Sequence, residues 1–381
     1  MRRYGAAGSR RNGGLRRFRG RTITLTAPLS DAKGRGSDLA GCTPGLGWGD
    51  WGAFPKSHQD NLDMLLDHMK PGNALSMFSL VVALSLFSGL LSSSQVVGAD
   101  NLRPTVETLV VESDLVPGQV KVAVLLPPGF RVSNTSFRLL LWLHGGPGDS
   151  SYLNRELQPI IEAAWKRGTL PPMVVAVPSA RRSFYMDFRD GSQKWESLIL
   201  KTVLPTLQKK YRLKRDQDGT LIGGYSMGGM GSLRIAFKYP RRFLAVAAIA
   251  PAIEPAYRFG DIQPKDREYR NNGVYERIYG DPVDQKFWQA NHPPTLARDN
   301  SKLLIVSKLK VYFEVGDADE LGLFRGGEFL HRTLLQRNVK HEYRLVHGAG
   351  HEDDTLPDRL ADAVRFFGRV LKHRDTRSLS R

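Results

Sequence analysis

Gly224-Tyr225-Ser226-Met227-Gly228 sets one hydroxyl between two glycines, inside the stretch GGYSMGGMGS (223–232), which holds five glycines and directly follows the apolar pair Leu221-Ile222. A strand that turns into a helix within a few residues leaves its tip residue in a strained backbone. Its neighbours two positions away then come so close that a β-carbon would collide. The G-x-S-x-G spacing meets that demand and presents a serine at the tip, as in a nucleophile elbow. Gly231, one turn further on, is expected to let the following helix lie close against the sheet.

A serine hydroxyl is a weak nucleophile near neutral pH. It needs a base, and the base needs an acid to orient it. After a G-x-S-x-G turn the acid comes first and the histidine second. VYFEVGDADE ends an apolar run and carries Asp317 and Asp319 in the loop beyond it; Asp319 is the favoured acid and Asp317 the alternative. VHGAGHEDD offers His347 and His351, and its glycines keep the segment off a helix. His351, beyond the last strand, is expected to reach back to Ser226, with His347 packing at the strand end. The two histidines lack the helical H-E-x-x-H spacing, so neither a metal nor another cofactor is expected. LHGGPGD (143–149) supplies flexible backbone amides. Those of Gly145 or Gly146, with that of Met227, are candidate oxyanion-hole donors, each worth about 3–4 kcal/mol to a tetrahedral intermediate. His144 is expected to be structural. No Walker Lys-Ser/Thr and no G-x-G-x-x-G follows, which argues against nucleotide binding.

The elements that must hold these residues are legible as alternating strands and helices. ETLVVES and QVKVAVLLPP flank Pro117-Gly118 as a hairpin. FRLLLWLHGG, PPMVVAVPSA, GTLIGGYS, LAVAAIAP and LKVYFEVG are nearly continuous apolar runs, suited to strands buried on both faces. HEYRLVHG is the last strand. A helix is expected from about Pro159, with Ile160, Ile161 and Ala164 on one face; a second carries Ile199, Val203 and Leu207, and the last carries Leu360, Val364, Phe367 and Leu371. The fold class is α/β, with a mostly parallel central sheet flanked by helices and a short insertion, 252–300, after the sixth strand. Chemistry in such sheets collects at the carboxyl ends of the strands.

The 381-residue chain carries a formal net charge of +17, but eight arginines and no acid fall in its first 21 residues. The basic bias is therefore partly that of a tail, and no nucleic-acid partner is expected. Residues 1–68 read as a disordered basic leader, untranslated or removed. No charge occurs from Pro71 to Ala99, and Met77–Leu91 is apolar but shorter than the ~20 residues of a membrane span. Lys70 before it and VGA after it make 69–99 a signal peptide with cleavage after Ala99, implying a secreted or periplasmic domain (100–381) with no stable membrane span. Cys42 is the only cysteine, which excludes an intrachain disulfide and, after cleavage, thiol catalysis.

From about 120 to 371 the chain resembles the putative-esterase (esterase D) family of α/β-hydrolases, which includes feruloyl esterases, acetyl esterases, S-formylglutathione hydrolases and mycolyltransferases. The resemblance is carried by LLWLHGGPGD, by GGYSMGGMGSLRIAFKYPRRFLAVAAIAPAI, by YGDPVDQKFWQANHPPTLA, and by VGDADE and GAGHE. It implies the α/β-hydrolase fold and a catalytic role for Ser226, Asp319 and His351. HGGPG is also similar to prolyl iminopeptidases, which carry a tryptophan beside the nucleophile where this chain has Met227. The resulting expectation is a secreted serine carboxylesterase that forms an acyl-enzyme from a small-molecule or carbohydrate ester. The alternatives are a mycolyltransferase-type acyltransferase and an exopeptidase of the prolyl iminopeptidase kind. Tyr257, Tyr269, Tyr275, Phe287 and Trp288 in the insertion are expected to form the rim of the pocket.

Overall fold

Strand by strand, the apolar runs become one sheet. The computed structural model describes residues 103–379; the leader, Cys42 and the signal segment with its cleavage after Ala99 lie outside them. The sheet contains β1 (Thr105–Val111), β2 (Val120–Leu126), β3 (Leu139–Leu143), β4 (Val174–Pro178), β5 (Thr220–Tyr225), β6 (Ala245–Ile249), β7 (Lys310–Gly316) and β8 (Glu342–Val346). Their order across the sheet is β1-β2-β4-β3-β5-β6-β7-β8. β2 pairs antiparallel with β1 and with β4, and every other pairing is parallel. This is the mostly parallel sheet that the apolar runs imply and the α/β-hydrolase fold that the family resemblance implies, with β5 near its middle.

Successive strand residues point to opposite faces, and the two cores divide accordingly. Leu139, Leu141 and Leu143 join one apolar cluster, Leu140 and Trp142 the other. Helix α1 (Gln158–Lys166) and the final helix cover the second face, through Ile161 and Ala164 and through Leu360, Val364, Phe367 and Leu371. The first face is covered by α2 (Trp195–Leu198), α3 (Leu204–Lys210) and α4 (Met227–Lys238). α2 and α3 are joined by a π-helical turn, Ile199–Val203, where a single regular helix is expected from the spacing; Ile199, Val203 and Leu207 are nonetheless all fully buried.

The insertion 252–300 is largely helical. It folds into α5 (Asn272–Tyr279), α6 (Gln285–Ala290) and α7 (Pro293–Asp299), whose Tyr275, Ile278, Tyr279 and Trp288 are buried in the core. α8 (Ser301–Ser307) leads into β7, α9 (Phe324–Gln336) into β8, and α10 (Leu356–Leu379) ends the described chain. Among the described residues no helix is long and apolar enough to cross a membrane.

Glu196 of α2 fastens that helix to α4, where it pairs with the fully buried Arg234 and with Lys238, and accepts from Tyr239 Oη at 2.8 Å. Burial alone would raise the Glu196 pKa; Arg234 and Lys238 overcome it and bring it down to about 2. A carboxylate whose folded pKa lies below its unfolded one adds stability that is complete above the unfolded value and vanishes as pH falls through the folded one. Glu196→Gln leaves Arg234 buried without its anion and is expected to lose about 3–5 kcal/mol at pH 7. That deficit should close as pH falls from about 4.5 toward 2. Urea unfolding across that range checks it, and a deficit independent of pH would refute it.

Candidate active site

β5 runs straight into α4, and Ser226 is the corner, at φ 53° and ψ −115°. That left-handed backbone is fixed by three hydrogen bonds. Ser226 N–H donates to Ile249 O (2.8 Å), and Ser226 O accepts from Met230 N–H (3.0 Å) and Ala252 N–H (3.2 Å). A β-carbon on Gly228 would stand 1.9 Å from Leu143 O, and one on Gly224 2.3 Å from Gly228 O. Both obstacles are backbone and cannot swing aside, which is the collision inferred from the spacing. Gly231 differs from expectation: its missing β-carbon makes room for the ring of Tyr185, 2.9 Å away, while α4 meets the sheet through Gly228 and Gly229.

His351 Nε2 lies 2.9 Å from Ser226 Oγ, and His351 Nδ1 lies 2.9 Å from Asp319 Oδ2. An ionised carboxylate only accepts, so Nδ1 carries the proton and Nε2 is free to accept from the serine. The Asp319 side chain is fully buried, and its Oδ1 also accepts from Leu321 N–H (2.9 Å). Asp317 faces elsewhere. It takes His347 Nδ1 (2.8 Å) and Gly348 N–H (2.7 Å), and these two hydrogen bonds hold its carboxyl below the usual carboxylate range. His347 is not packed at the strand end; its side chain is 99% exposed. The structure thus brings Ser226, His351 and Asp319 together and leaves Asp317 with His347 as a separate surface pair.

The loop that carries His351 is held by residues the sequence reading does not single out. His351 N–H donates to Glu320 Oε2 (2.9 Å), and His351 O accepts from Tyr225 Oη (3.0 Å). The Tyr225 ring also stacks on the imidazole, with centroids 5.2 Å apart. Arg359 of α10 donates to Gly350 O (2.7 Å) while paired with Glu314 of β7 at 3.0 Å. Burial raises the Glu314 pKa despite that arginine. Glu314 left one trace in the sequence, a charge inside the apolar run VYFEVG, since a buried charge requires a partner.

Met227 opens α4, so its N–H has no partner within the helix and lies at the positive end of the helix dipole. Gly145 and Gly146 lie alongside. A β-carbon on Gly145 would be 3.5 Å from Ser226 Cβ, and one on Gly146 3.3 Å from the Met227 sulfur. Fully buried His144 braces this loop: its Nδ1 donates to Gly145 O (2.6 Å), its Nε2 accepts from Ala180 N–H (3.0 Å), and burial holds its pKa below the usual value. It is a neutral staple between the loops that follow β3 and β4.

These groups open onto a cleft of about 250 Å³ whose walls include Phe184, Ala252, Tyr269 and Leu321, with Arg182 and Glu352 among its other lining residues. Of the five aromatic residues expected at the rim, only Tyr269 lines it. Tyr275 and Trp288 are core residues, Phe287 packs partly buried against that core, and Tyr257 bonds Thr333 on α9. Arg182 and Phe184 belong to the loop after β4, where no motif marked them.

A family model described as Putative esterase matches residues 113–361. An esterase of Mycobacterium tuberculosis (strain H37Rv) is 26% identical over 131 residues, 33% of this chain and 28% of the relative, so the chain spans less than a third of that relative's length. The acetyl esterase of Caldicellulosiruptor saccharolyticus is 29% identical over 208 residues, 52% of this chain and 73% of the relative. Among solved structures, a ferulic acid esterase superposes with a TM-score of 0.59 at 21% identity, over 71% of this chain and all of its own, a likeness of fold.

The contacts around Gly228 make a direct test. Gly228→Ala forces backbone apart and is expected to cost more than about 4 kcal/mol, a lowering of Tm by roughly 10 °C or more. Gly260→Ala, with nothing within 4 Å of the new methyl group, is the control and should melt within about 1 °C of the parent. Differential scanning fluorimetry compares them, and equal melting points would show that the close approach is not real.

Proposed function

This chain belongs to the putative-esterase family, and on that premise we propose that it is a serine carboxylesterase acting through Ser226, His351 and Asp319. Ser226 Oγ attacks the ester carbonyl while His351 Nε2 takes its proton. Asp319 holds Nδ1–H in place and stabilises the imidazolium. The oxyanion of the tetrahedral intermediate accepts from Met227 N–H and from the amide of Gly145 or Gly146. Collapse expels the alcohol, which leaves with the proton from His351. Water then gives a proton to the same nitrogen, attacks the acyl-enzyme, and releases the acid as Ser226 regains its hydrogen. The observation that carries this reading is the unbroken relay, 2.9 Å from Ser226 Oγ to His351 and 2.9 Å on to a buried carboxylate.

A cleft of about 250 Å³ suits a short acyl group with the alcohol left outside. The acetyl esterase relative supports the same size of acyl group, and the proposed substrates are small or carbohydrate-borne esters. The reading of 69–99 as a signal peptide supports a site of action outside the cytosol, and so argues against a formylglutathione thioester. Expressed from Met69, the exported protein is expected to begin at Asp100; N-terminal sequencing reads this directly, and an exported form that retains Met69 would contradict cleavage after Ala99.

Turnover of 4-nitrophenyl acetate, acetylated oligosaccharides and methyl ferulate tests the assignment. Ser226→Ala is expected to lower kcat on the order of 10⁶-fold and Asp319→Asn on the order of 10⁴-fold. Asp317→Asn should stay within about twofold, because an exposed pair away from the reacting atoms contributes little. Undiminished turnover by Ser226→Ala would end the proposal, and transfer of acetyl to an added sugar instead of water would make the protein an acyltransferase.

A further inference from the structure

Behind the cleft wall lies a charge pair that the reaction does not use. Glu254 and Arg270 both come from the insertion after β6, and both side chains are fully buried. Arg270 Nη2 is 3.1 Å from Glu254 Oε1, donates to Ala252 O at 2.9 Å and reaches Tyr269 Oη at 3.3 Å. The guanidinium carbon lies 3.9 Å from the ring centroid of Phe184. Glu254 Oε1 in turn accepts from Tyr269 Oη (2.9 Å) and Tyr275 Oη (2.6 Å). Of the residues this cation touches, Phe184, Ala252 and Tyr269 line the cleft, while Glu254, Tyr275 and Tyr279, whose Oη lies 3.5 Å from Nη1, are buried behind it. Ala252 also donates its N–H to Ser226 O, so the cation is two hydrogen bonds from the strained corner.

A buried ion pair is weak evidence of stability, since well-packed apolar residues in its place are often neutral or stabilising. A guanidinium instead supplies a planar fork of fixed donors that fixes several partners at once. Phe184 needs such a partner, because it sits at φ 53°, where side chains are strained. Tyr269 has its hydroxyl turned back to Glu254, so its ring is what remains for the cleft.

We propose that Arg270, set by Glu254, is a positioning residue: it holds Phe184, Ala252 and Tyr269 as one rigid wall, and that wall limits the length of the acyl group and steadies Ser226. The inference rests on the reading that Ser226 is the nucleophile.

The test uses the exported chain with 4-nitrophenyl acetate and hexanoate. Arg270→Met should melt lower, turn over acetate about tenfold to a hundredfold less well, and lose about tenfold of its preference for acetate over hexanoate. Adding Glu254→Gln removes the stranded carboxylate, so the double variant should regain Tm but not the rate or the acetate preference. A purely structural pair predicts the opposite, and recovery of all three together would overturn the proposal. Should Arg270→Met not fold, Arg270→Lys keeps the charge but not the fork, and is expected to melt near the parent with the same loss of acetate preference; a parental preference there would equally overturn it. Ser226→Ala separates the two readings. If it stays active, the esterase assignment fails whatever Arg270 does; if it is inactive while the Arg270 variants keep parental rate and preference, only the positioning role fails.

Discussion

A serine held in left-handed backbone costs about 1–3 kcal/mol, and the local chain cannot hold it there unaided. At Ser226 the cost is offset from both sides of the turn: Ile249 at the end of β6 takes its N–H, and Ala252 just beyond β6 supports its carbonyl together with Met230. The same geometry brings α4 so near β3 that Gly228 and Leu143 O meet with no space for a methyl group. The corner is therefore a property of three adjacent strands. Every other group in the cleft is positioned relative to it.

The proposed base is tied to that corner through one side chain. Tyr225 precedes Ser226, donates its hydroxyl to His351 O and lays its ring along the imidazole. The elbow and the histidine loop are thus joined by a hydrogen bond and a ring contact beside the 2.9 Å approach of Nε2 to Oγ. Asp319 lies three residues beyond β7, which is paired in register between β6 and β8, and its carboxylate is held locally by Leu321 N–H.

The strands, the elbow and the order Ser226, Asp319, His351 were legible because each leaves a local trace: an apolar run, a glycine two residues away, an acid or histidine just past a strand. What stayed hidden depends on contacts distant in sequence. Aromatic content in 252–300 gave no indication of which face each ring takes: Tyr275 and Trp288 are buried in the core, while Phe287, next to Trp288 on the same helix, is only partly buried against it. Gly231 lacks a side chain for the sake of Tyr185, a residue 46 positions earlier that no spacing rule connects to it. Asp317 and Asp319 differ by two positions in one loop, and the sequence alone ranked them without separating them. Their fates diverge only because Gly350-His351 turns inward while His347-Gly348 stays at the surface.

Among the described residues, three buried glutamate–arginine pairs hold loops that reach the cleft, and they follow one rule. Arg234, paired with Glu196, donates to Tyr185 O; Arg270, paired with Glu254, donates to Ala252 O; Arg359, paired with Glu314, donates to Gly350 O. Those three carbonyls belong to the loops that follow β4, β6 and β8, and the loops carry Phe184, the prop beneath Ser226, and His351. A loop carbonyl turned away from water needs a donor, and an arginine anchored by a carboxylate offers one at a fixed angle, where water or a flexible lysine would leave the loop free to shift. Apolar residues could fill the same volume at no greater cost in stability. They could not hold a backbone oxygen to a direction, and the proposed chemistry depends on directions, since a displacement of about 1 Å between reacting groups is enough to lose a hundredfold in rate.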